Sequence, residues 1–204
     1  MSSIEQTIPE RNEVFKVVNS EITWLHTIWE LLIQLYGSND ENIEIMNASA
    51  PQFFAILRTM LFDELVMILN RLTDPAITRG KANASLEQLI NQIDQHENAS
   101  LAASLTERLV KIRATHTAFR TWRDKKISHN DLLIALQNES KSLPEIPRKQ
   151  AAAAIQEVTD FINEYSEAIL GGIQSYMPFL VARGDGNALL QQLKQGIEAQ
   201  HKEA

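Results

Sequence analysis

Apolar side chains recur every three or four residues along most of this chain, and this spacing limits what the chain can fold into. Alternating apolar and polar runs, which are typical of strands, are scarce, and only seven glycines and six prolines interrupt the 204 residues. A stripe at helical spacing is buried only when its helix packs against another element. The pattern therefore predicts an all-α protein.

Four to five main helices and a short C-terminal helix are predicted. Proline, glycine and capping residues mark their ends. The predicted ranges are 9–36, 51–72, 85–97, 99–126 and 148–170, with the short helix capped by Asn187 and ending near 199. Because the long helices have short connections, we expect an up-and-down antiparallel bundle. The length fits a single domain over 1–204, with a core over about 10–180 and a C-terminal extension over 181–204.

Several classes of function are disfavoured by what the sequence lacks. There is no cysteine, which excludes disulfides and a cysteine nucleophile and fits a reducing cytosol. The sequence has neither a signal-peptide pattern nor an apolar run of about 18 residues, so we expect a cytoplasmic protein without a membrane span. No His-Glu-x-x-His or similar ligand spacing occurs, so we expect neither a metal nor a cofactor.

Positive charge is concentrated in one window of an acidic chain. The net charge of −7 argues against a general nucleic-acid binder. Residues 108–126 nevertheless carry a formal charge of +6, because Asp124 is their one acidic residue. The basic residues are Arg108, Lys111, Arg113, Arg120, Arg123, Lys125 and Lys126. This basic strip is either a solvated helix face or a local anion-binding surface.

Arg123 and His129 are the candidate catalytic residues. Arginine holds phosphate oxygens with a planar fork of donors, and histidine transfers protons near neutral pH. Arg123 also continues the inward-facing stripe of the fourth predicted helix, where a charge needs a partner or a cleft. The stripe is Leu101, Leu105, Leu109, Ile112, His116, Phe119 and Arg123.

Helix phase restricts how Arg123 and His129 can cooperate. On one unbroken helix they would lie about 120° apart around the axis, so either the helix ends between them or they act from different subunits. Ser128-x-x-Asp131 is a capping-box pattern that predicts a new helix with His129 in its first turn. There the helix dipole lowers the pKa of a histidine and favours an anion. The alternative is that Arg123 ties two helices through a carboxylate such as Asp63 or Glu64, and that His129 is a loop histidine.

Two blocks of sequence carry a family resemblance. Arg123-Asp124-Lys125-Lys126-Ile127-Ser128-His129 resembles the signature of the HEPN superfamily, an arginine and a histidine with four to six residues between them and with Asn, Asp or His after the arginine. Ile68-Leu69-Asn70-Arg71-Leu72-Thr73-Asp74-Pro75 and Asn83-Ala84-Ser85-Leu86-Glu87-Gln88-Leu89 are similar to the AbiU-type HEPN domains of bacterial abortive-infection systems. The resemblance covers about residues 10–180. It implies a homodimer in which the Arg–His pairs of both protomers meet in a cleft.

The resemblance also implies a function. Many such proteins are metal-independent endoribonucleases that act in phage defence or as toxins. Arg123 would hold the scissile phosphate, His129 would activate the 2′-hydroxyl or protonate the leaving oxygen, and Asp124 would orient one of them. The remaining RNA contacts are expected from Arg113, Arg120, Lys125 and Lys126.

Regulation and activity stay open at the level of sequence. An antitoxin or another defence partner is compatible with the resemblance. Toxins silenced by a partner nucleotidyltransferase carry a tyrosine two residues after the histidine, and Asp131 stands there in this chain. Two alternatives remain, a non-catalytic RNA- or nucleotide-binding HEPN module and a structural helical interaction protein.

Overall fold

The structure is a computed structural model that describes residues 11–37, 39–94, 96, 98–128, 131, 142–174, 176 and 184–203. Within them the chain is built of helices and one two-stranded hairpin, which confirms the predicted all-α class. The helices are α1 Arg11–Tyr36, α2 Asp40–Ser49, α3 Pro51–Thr73, α4 Leu86–Asn91, α5 Ala99–Thr115, α6 Thr117–Trp122, the π-turn Arg123–Ile127, α7 Arg148–Leu170 and α8 Gly186–Glu203. The hairpin pairs β1, Ile77–Thr78, with β2, Lys81–Ala82.

The chain divides into two compact units. The first contains Met1–Ile22 and Val66–Tyr176, and the second contains Thr23–Leu65 and Met177–Ala204. α1 and α3 therefore each contribute residues to both units. The single domain over 1–204 stays a prediction.

The first unit is built on the packing of α5 against α7 and against α4. The predicted stripe of the fourth helix is buried as expected, from Leu105 to Phe119. Fully buried side chains of the other helices include Leu69 and Leu72 of α3, Leu86 and Leu89 of α4, and Phe161 and Tyr165 of α7. Tyr165 stacks on Phe15, with ring centroids 5.9 Å apart.

The second unit contains a helix that the sequence pattern did not predict. α2 packs against α8, and their core consists of Leu35, Met46, Phe54 and Leu190. The side chain of Asn39 caps α2 by accepting a hydrogen bond of 3.0 Å from the Glu41 amide. An asparagine followed by two acidic residues is a helix-start signal that was available in the sequence.

Several helix ends that proline or glycine residues mark in the sequence lie where they were predicted. α3 begins at Pro51 and ends at Thr73, and α7 spans Arg148–Leu170 as predicted. α1 ends at Tyr36 as predicted, while its predicted start at Pro9 lies outside the described residues. Ser85 precedes α4 as predicted, but its side chain makes no capping hydrogen bond and the helix ends at Asn91 rather than Glu97.

Two predictions about where helices begin and end were wrong. The short C-terminal helix is not capped by Asn187, because the carboxylate of Asp185 accepts from the Ala188 amide at 2.8 Å and α8 begins at Gly186. The fourth helix is not continuous over 99–126, because the α-helix is interrupted at His116 and changes to π geometry at Arg123. The apolar stripe continues across the interruption at His116, so the periodicity of the sequence did not reveal it.

Candidate functional site

The two sequence blocks that carry the resemblance meet at Arg123. Its Nη1 donates to Oδ1 of Asp74 at 2.8 Å, and its Nε donates to Oδ1 of Asp124 at 2.9 Å. Only 20% of the Arg123 side chain and 29% of the Asp74 side chain are exposed. Burial lowers the pKa of Arg123, but the hydrogen bonds and charges of Asp124 and Asp74 raise it more, so its pKa lies above the ordinary value. Arg123 is therefore a permanent, oriented cation.

The guanidinium of Arg123 keeps donors for an anion. Arginine has five N–H groups in a fixed plane, and one Nε–H and one Nη1–H are directed at carboxylates. Within the described part of the chain, no protein acceptor takes up the remaining three. Two of these belong to Nη2, so the group can still bind a phosphate oxygen.

Asp74 is itself held in place by Arg113. The Nε of Arg113 donates to the Thr73 carbonyl at 2.9 Å, and its Nη2 donates to the Asp74 carbonyl at 3.2 Å. The same Nη2 lies 2.9 Å from Oε2 of Glu87, which also accepts from the Ala76 amide at 2.8 Å. The carboxyl end of α3 and the start of the following loop are thus clamped on both sides of Asp74.

Asn70 ties α3 to the helix that carries Arg123. Its side chain is buried, and its Nδ2 donates to the Phe119 carbonyl in α6 at 3.1 Å and to the Val66 carbonyl at 2.8 Å. A buried amide with two acceptors is costly to displace. This bond fixes the spacing of the two helices one turn from the Arg123–Asp74 pair.

Arg123 begins the π-turn. The Ser128 amide donates to the Arg123 carbonyl at 2.7 Å, a bond across five residues, and the turn ends at Ile127. Single π-turns are rare and are frequently found at functional sites. The α-helix therefore ends at Trp122, one turn earlier than the sequence predicted.

The predicted capping box at Ser128-x-x-Asp131 is wrong. Ser128 has helical dihedral angles rather than the extended geometry of an N-cap. The Asp131 carboxylate accepts from Nζ of Lys125 at 2.7 Å, and the Asp131 amide donates to the Lys125 carbonyl at 3.0 Å. His129 and the predicted helix after it lie outside the described residues.

Carboxylates neutralise most of the basic strip. Arg108 pairs with Glu164 at 2.9 Å, and Lys111 pairs with Glu107 at 2.7 Å. Arg113, Arg123 and Lys125 have the partners already described. RNA binding by Arg113 and Lys125 stays a prediction, and the bonds of Arg113 show a structural role.

The other two cations of the basic strip have different surroundings. Lys126 lies over the ring of Trp122, with its Nζ 4.9 Å from the centroid, and the Trp122 indole donates to the Pro144 carbonyl at 2.7 Å. Nη2 of Arg120 is buried without a hydrogen-bond partner among the described residues. RNA contacts by Arg120 and Lys126 also stay predictions.

His116 is a buried histidine at the junction of α5 and α6. Its Nε2 lies 3.2 Å from Oε2 of Glu157, although neither ring nitrogen makes a hydrogen bond within the described residues. Burial lowers the pKa of His116, Glu157 opposes that shift, and Arg120 adds to it. The sequence prediction of a core histidine fits its burial, although its hydrogen bonds are not satisfied.

Neither a metal cluster nor a membrane span is found in the part of the chain that the structure describes. In those ranges, no group of three His, Cys, Asp or Glu side chains is placed to hold a metal ion. None of the described helices is long and apolar enough to cross a membrane.

The sequence missed the partner that orients Arg123. The alternative drawn from the sequence was a carboxylate such as Asp63 or Glu64 in the second predicted helix, whereas the carboxylate that Arg123 contacts from α3 is Asp74, just after that helix. Asp74 and Arg123 are 49 residues apart, and helical periodicity carries no information on such a pairing. The available signal was that Asp74 belongs to one family block and Arg123 to the other.

The all-α fold is consistent with a helical HEPN domain. The HEPN family model described as AbiU2 matches residues 12–189. The chain therefore belongs to the AbiU2 family of HEPN domains, as the resemblance predicted. No curated protein and no solved structure matches the chain.

Proposed function

We propose that this protein is an HEPN-type, metal-independent endoribonuclease in which Arg123 and His129 act on RNA at a homodimer cleft. The observation that carries the proposal is the environment of Arg123. Two carboxylates orient its guanidinium, and no acceptor among the described residues takes the other three N–H groups, which can bind a phosphate. Its raised pKa keeps the positive charge at every pH at which RNA is cleaved enzymatically.

The proposed reaction needs one anion holder and one proton carrier. Arg123 binds the non-bridging oxygens of the scissile phosphate and stabilises the charge that develops on them. His129 takes the proton from the 2′-hydroxyl, whose oxygen attacks phosphorus, or delivers a proton to the departing 5′-oxygen. The phosphorus–O5′ bond breaks, and a 2′,3′-cyclic phosphate and a 5′-hydroxyl are formed. Asp124 acts through its bond to Nε of Arg123.

The biological setting follows from the family. We propose a cytoplasmic role in phage defence, in which an antitoxin or another defence protein controls the activity. Asp131 is bonded to Lys125 and offers no hydroxyl, so control by nucleotidylation at that position is not part of the proposal.

RNA cleavage by the purified protein in the presence of a chelator tests the proposal. We expect the wild type to cleave single-stranded RNA, and Arg123→Ala and His129→Ala to lose the activity by about a hundredfold or more. Arg108→Ala is the matched control, because it removes another partly exposed, carboxylate-paired arginine of the basic strip. Equal cleavage by the wild type, Arg123→Ala and His129→Ala would remove both residues from the mechanism.

A non-catalytic RNA- or nucleotide-binding module is the second candidate. It is favoured by the two carboxylates beside Arg123, which leave no net positive charge at that point to stabilise a transition state. Tight, salt-dependent RNA binding without cleavage would select this candidate. If the protein neither binds nor cleaves RNA, a structural interaction protein is the remaining candidate.

A further inference from the structure

Arg123 depends on a neighbour for its orientation. The arginine side chain has several rotatable bonds, and an exposed arginine samples many rotamers. Here one N–H is bonded to Asp124, the adjacent residue, and another is bonded to Asp74, which lies after α3. A bond to an adjacent residue moves with the π-turn, whereas the bond to Asp74 ties the guanidinium to a second helix.

Asp74 is built as a fixed support. Arg113 donates to the carbonyls of Thr73 and Asp74, and Glu87 fixes Arg113 and the Ala76 amide. The Asn83 side chain donates to the Pro75 carbonyl at 2.7 Å. Four backbone groups in residues 73–76 are therefore held by side chains. A carboxylate on such a segment keeps its position when the cation beside it binds another anion.

From this geometry we infer that Asp74 is the positioning residue of Arg123, and that Arg113 and Glu87 support it. The inference rests on the proposed function and extends it to a residue outside the Arg-x5-His segment. Asp74 does not touch the RNA in this arrangement. It selects the rotamer in which the free N–H groups of Arg123 point towards the phosphate, which lowers the entropy lost on reaching the transition state.

The opposite role is that Asp74 competes with the phosphate for Arg123. A phosphodiester that approaches a guanidinium with two carboxylates meets repulsion, and removal of Asp74 would then raise RNA affinity. The clamp on residues 73–76 argues against this role, because a competitor must move away when RNA binds. The two roles predict opposite effects of replacing Asp74. RNA cleavage should fall if Asp74 positions Arg123, and it should not fall if Asp74 competes with the phosphate.

Asp74→Ala tests the inference in the full-length protein. We expect kcat for RNA cleavage to fall on the order of 100-fold, with a smaller change in KM and a melting temperature within a few degrees of the wild type. Asp74→Asn retains an acceptor oxygen and should recover part of kcat, which a purely structural defect would not explain. Glu164→Ala is the matched control, because it removes a similarly exposed carboxylate from Arg108 and should leave kcat unchanged.

A second measurement separates this inference from the proposed function. In a ¹⁵N–¹H spectrum, an arginine Nη1–H that is held by a fixed acceptor, as Asp74 holds that of Arg123, gives a resolved signal, and Arg123→Lys assigns it. We expect Asp74→Ala to broaden or remove this signal. A kcat of Asp74→Ala equal to or above that of the wild type would overturn the inference and leave the ribonuclease standing. If the wild type cleaves no RNA, the proposed function fails, and an unchanged Nη1–H signal in Asp74→Ala then overturns the inference as well.

Discussion

His116 shows how the environment of one residue sets a pH response. Its imidazole is packed against Phe119, with ring centroids 5.6 Å apart. It faces the Glu157 carboxylate of α7 and the Arg120 guanidinium of α6. Burial is the largest influence on its pKa and outweighs the attraction of Glu157, so the folded protein disfavours the charged ring.

The sign of the effect on stability follows from this shift. The pKa of His116 is lowered from 6.5, so the unfolded chain takes up a proton first as the pH falls. The free energy of unfolding should therefore decrease as the pH falls below about 6.5, by at most about 1.4 kcal/mol per pH unit for this one group. Urea denaturation at pH 7.5, 6.5 and 5.5 measures the slope.

His116→Gln removes the titrating group and should flatten that pH dependence. Part of the slope will remain, because burial also lowers the pKa of His26. His96→Gln is the control, since it replaces an exposed histidine rather than a buried one. An undiminished slope in His116→Gln would show that protonation of this ring is not coupled to unfolding.

Periodicity predicted which single residues are buried but not what the charged ones bind. Leu105, Ile112 and Phe119 are in the core as the stripe required. The position of Arg123 was predicted too, since its side chain is mostly covered. Its partner was not, because Asp74 approaches it only after α3 and α6 have packed. Helix phase is a local property, whereas ion pairs across 49 residues depend on the tertiary fold.

The ends of helices were predictable where a single proline or glycine determines the backbone conformation. Pro147 and Gly171 bracket α7 as the sequence indicated, and Gly171 has a φ of +76°. The hairpin went unpredicted although its turn, Arg79-Gly80, also has positive φ at both residues. Strands of two residues are too short to show an alternating pattern. The π-turn carries no residue signature in this sequence.

Gly171 offers a test of how much one helix end contributes to stability. Its amide donates to the Glu167 carbonyl, and the Gly172 amide donates to the Ser166 carbonyl. Left-handed geometry is unfavourable for a residue with a Cβ, so Gly171→Ala should lower the free energy of unfolding by about 1 kcal/mol. Chemical denaturation measures the loss.

Gly172→Ala is the matched control for Gly171→Ala. A methyl group added at either glycine would meet open space, but positive φ is found only at Gly171 of the two. We therefore expect Gly172→Ala to change stability by less than about 0.5 kcal/mol. Equal losses in the two variants would mean that the left-handed turn is not what stabilises the end of α7.

Over the whole molecule, the charges argue for local rather than general RNA recognition. The chain has a net charge of −7, and much of its basic strip is paired with carboxylates of α4, α5 and α7. The basic strip is therefore not a broad positive surface that attracts phosphates. The proposed cleavage therefore depends on a few well-placed groups, and on their assembly from two chains if Arg123 and His129 belong to different protomers.

Subunit mixing tests that assembly. Arg123→Ala and His129→Ala should each be inactive alone. If each site takes its arginine from one protomer and its histidine from the other, a heterodimer of the two variants has one intact site. Random exchange makes half of the dimers mixed, so the mixture should regain roughly a quarter of wild-type cleavage. The measurement is cleavage before and after exchange in mild denaturant, followed by its removal.

The control for subunit mixing is the double variant, Arg123→Ala with His129→Ala, exchanged with Arg123→Ala. That mixture contains no intact arginine in any dimer and should stay inactive. If the two single variants also stay inactive after exchange, and native mass spectrometry confirms mixed dimers, both residues must act within one protomer. Helix phase would then require the chain after the π-turn to bring His129 back towards Arg123, because the two cannot share a face on one continuous α-helix.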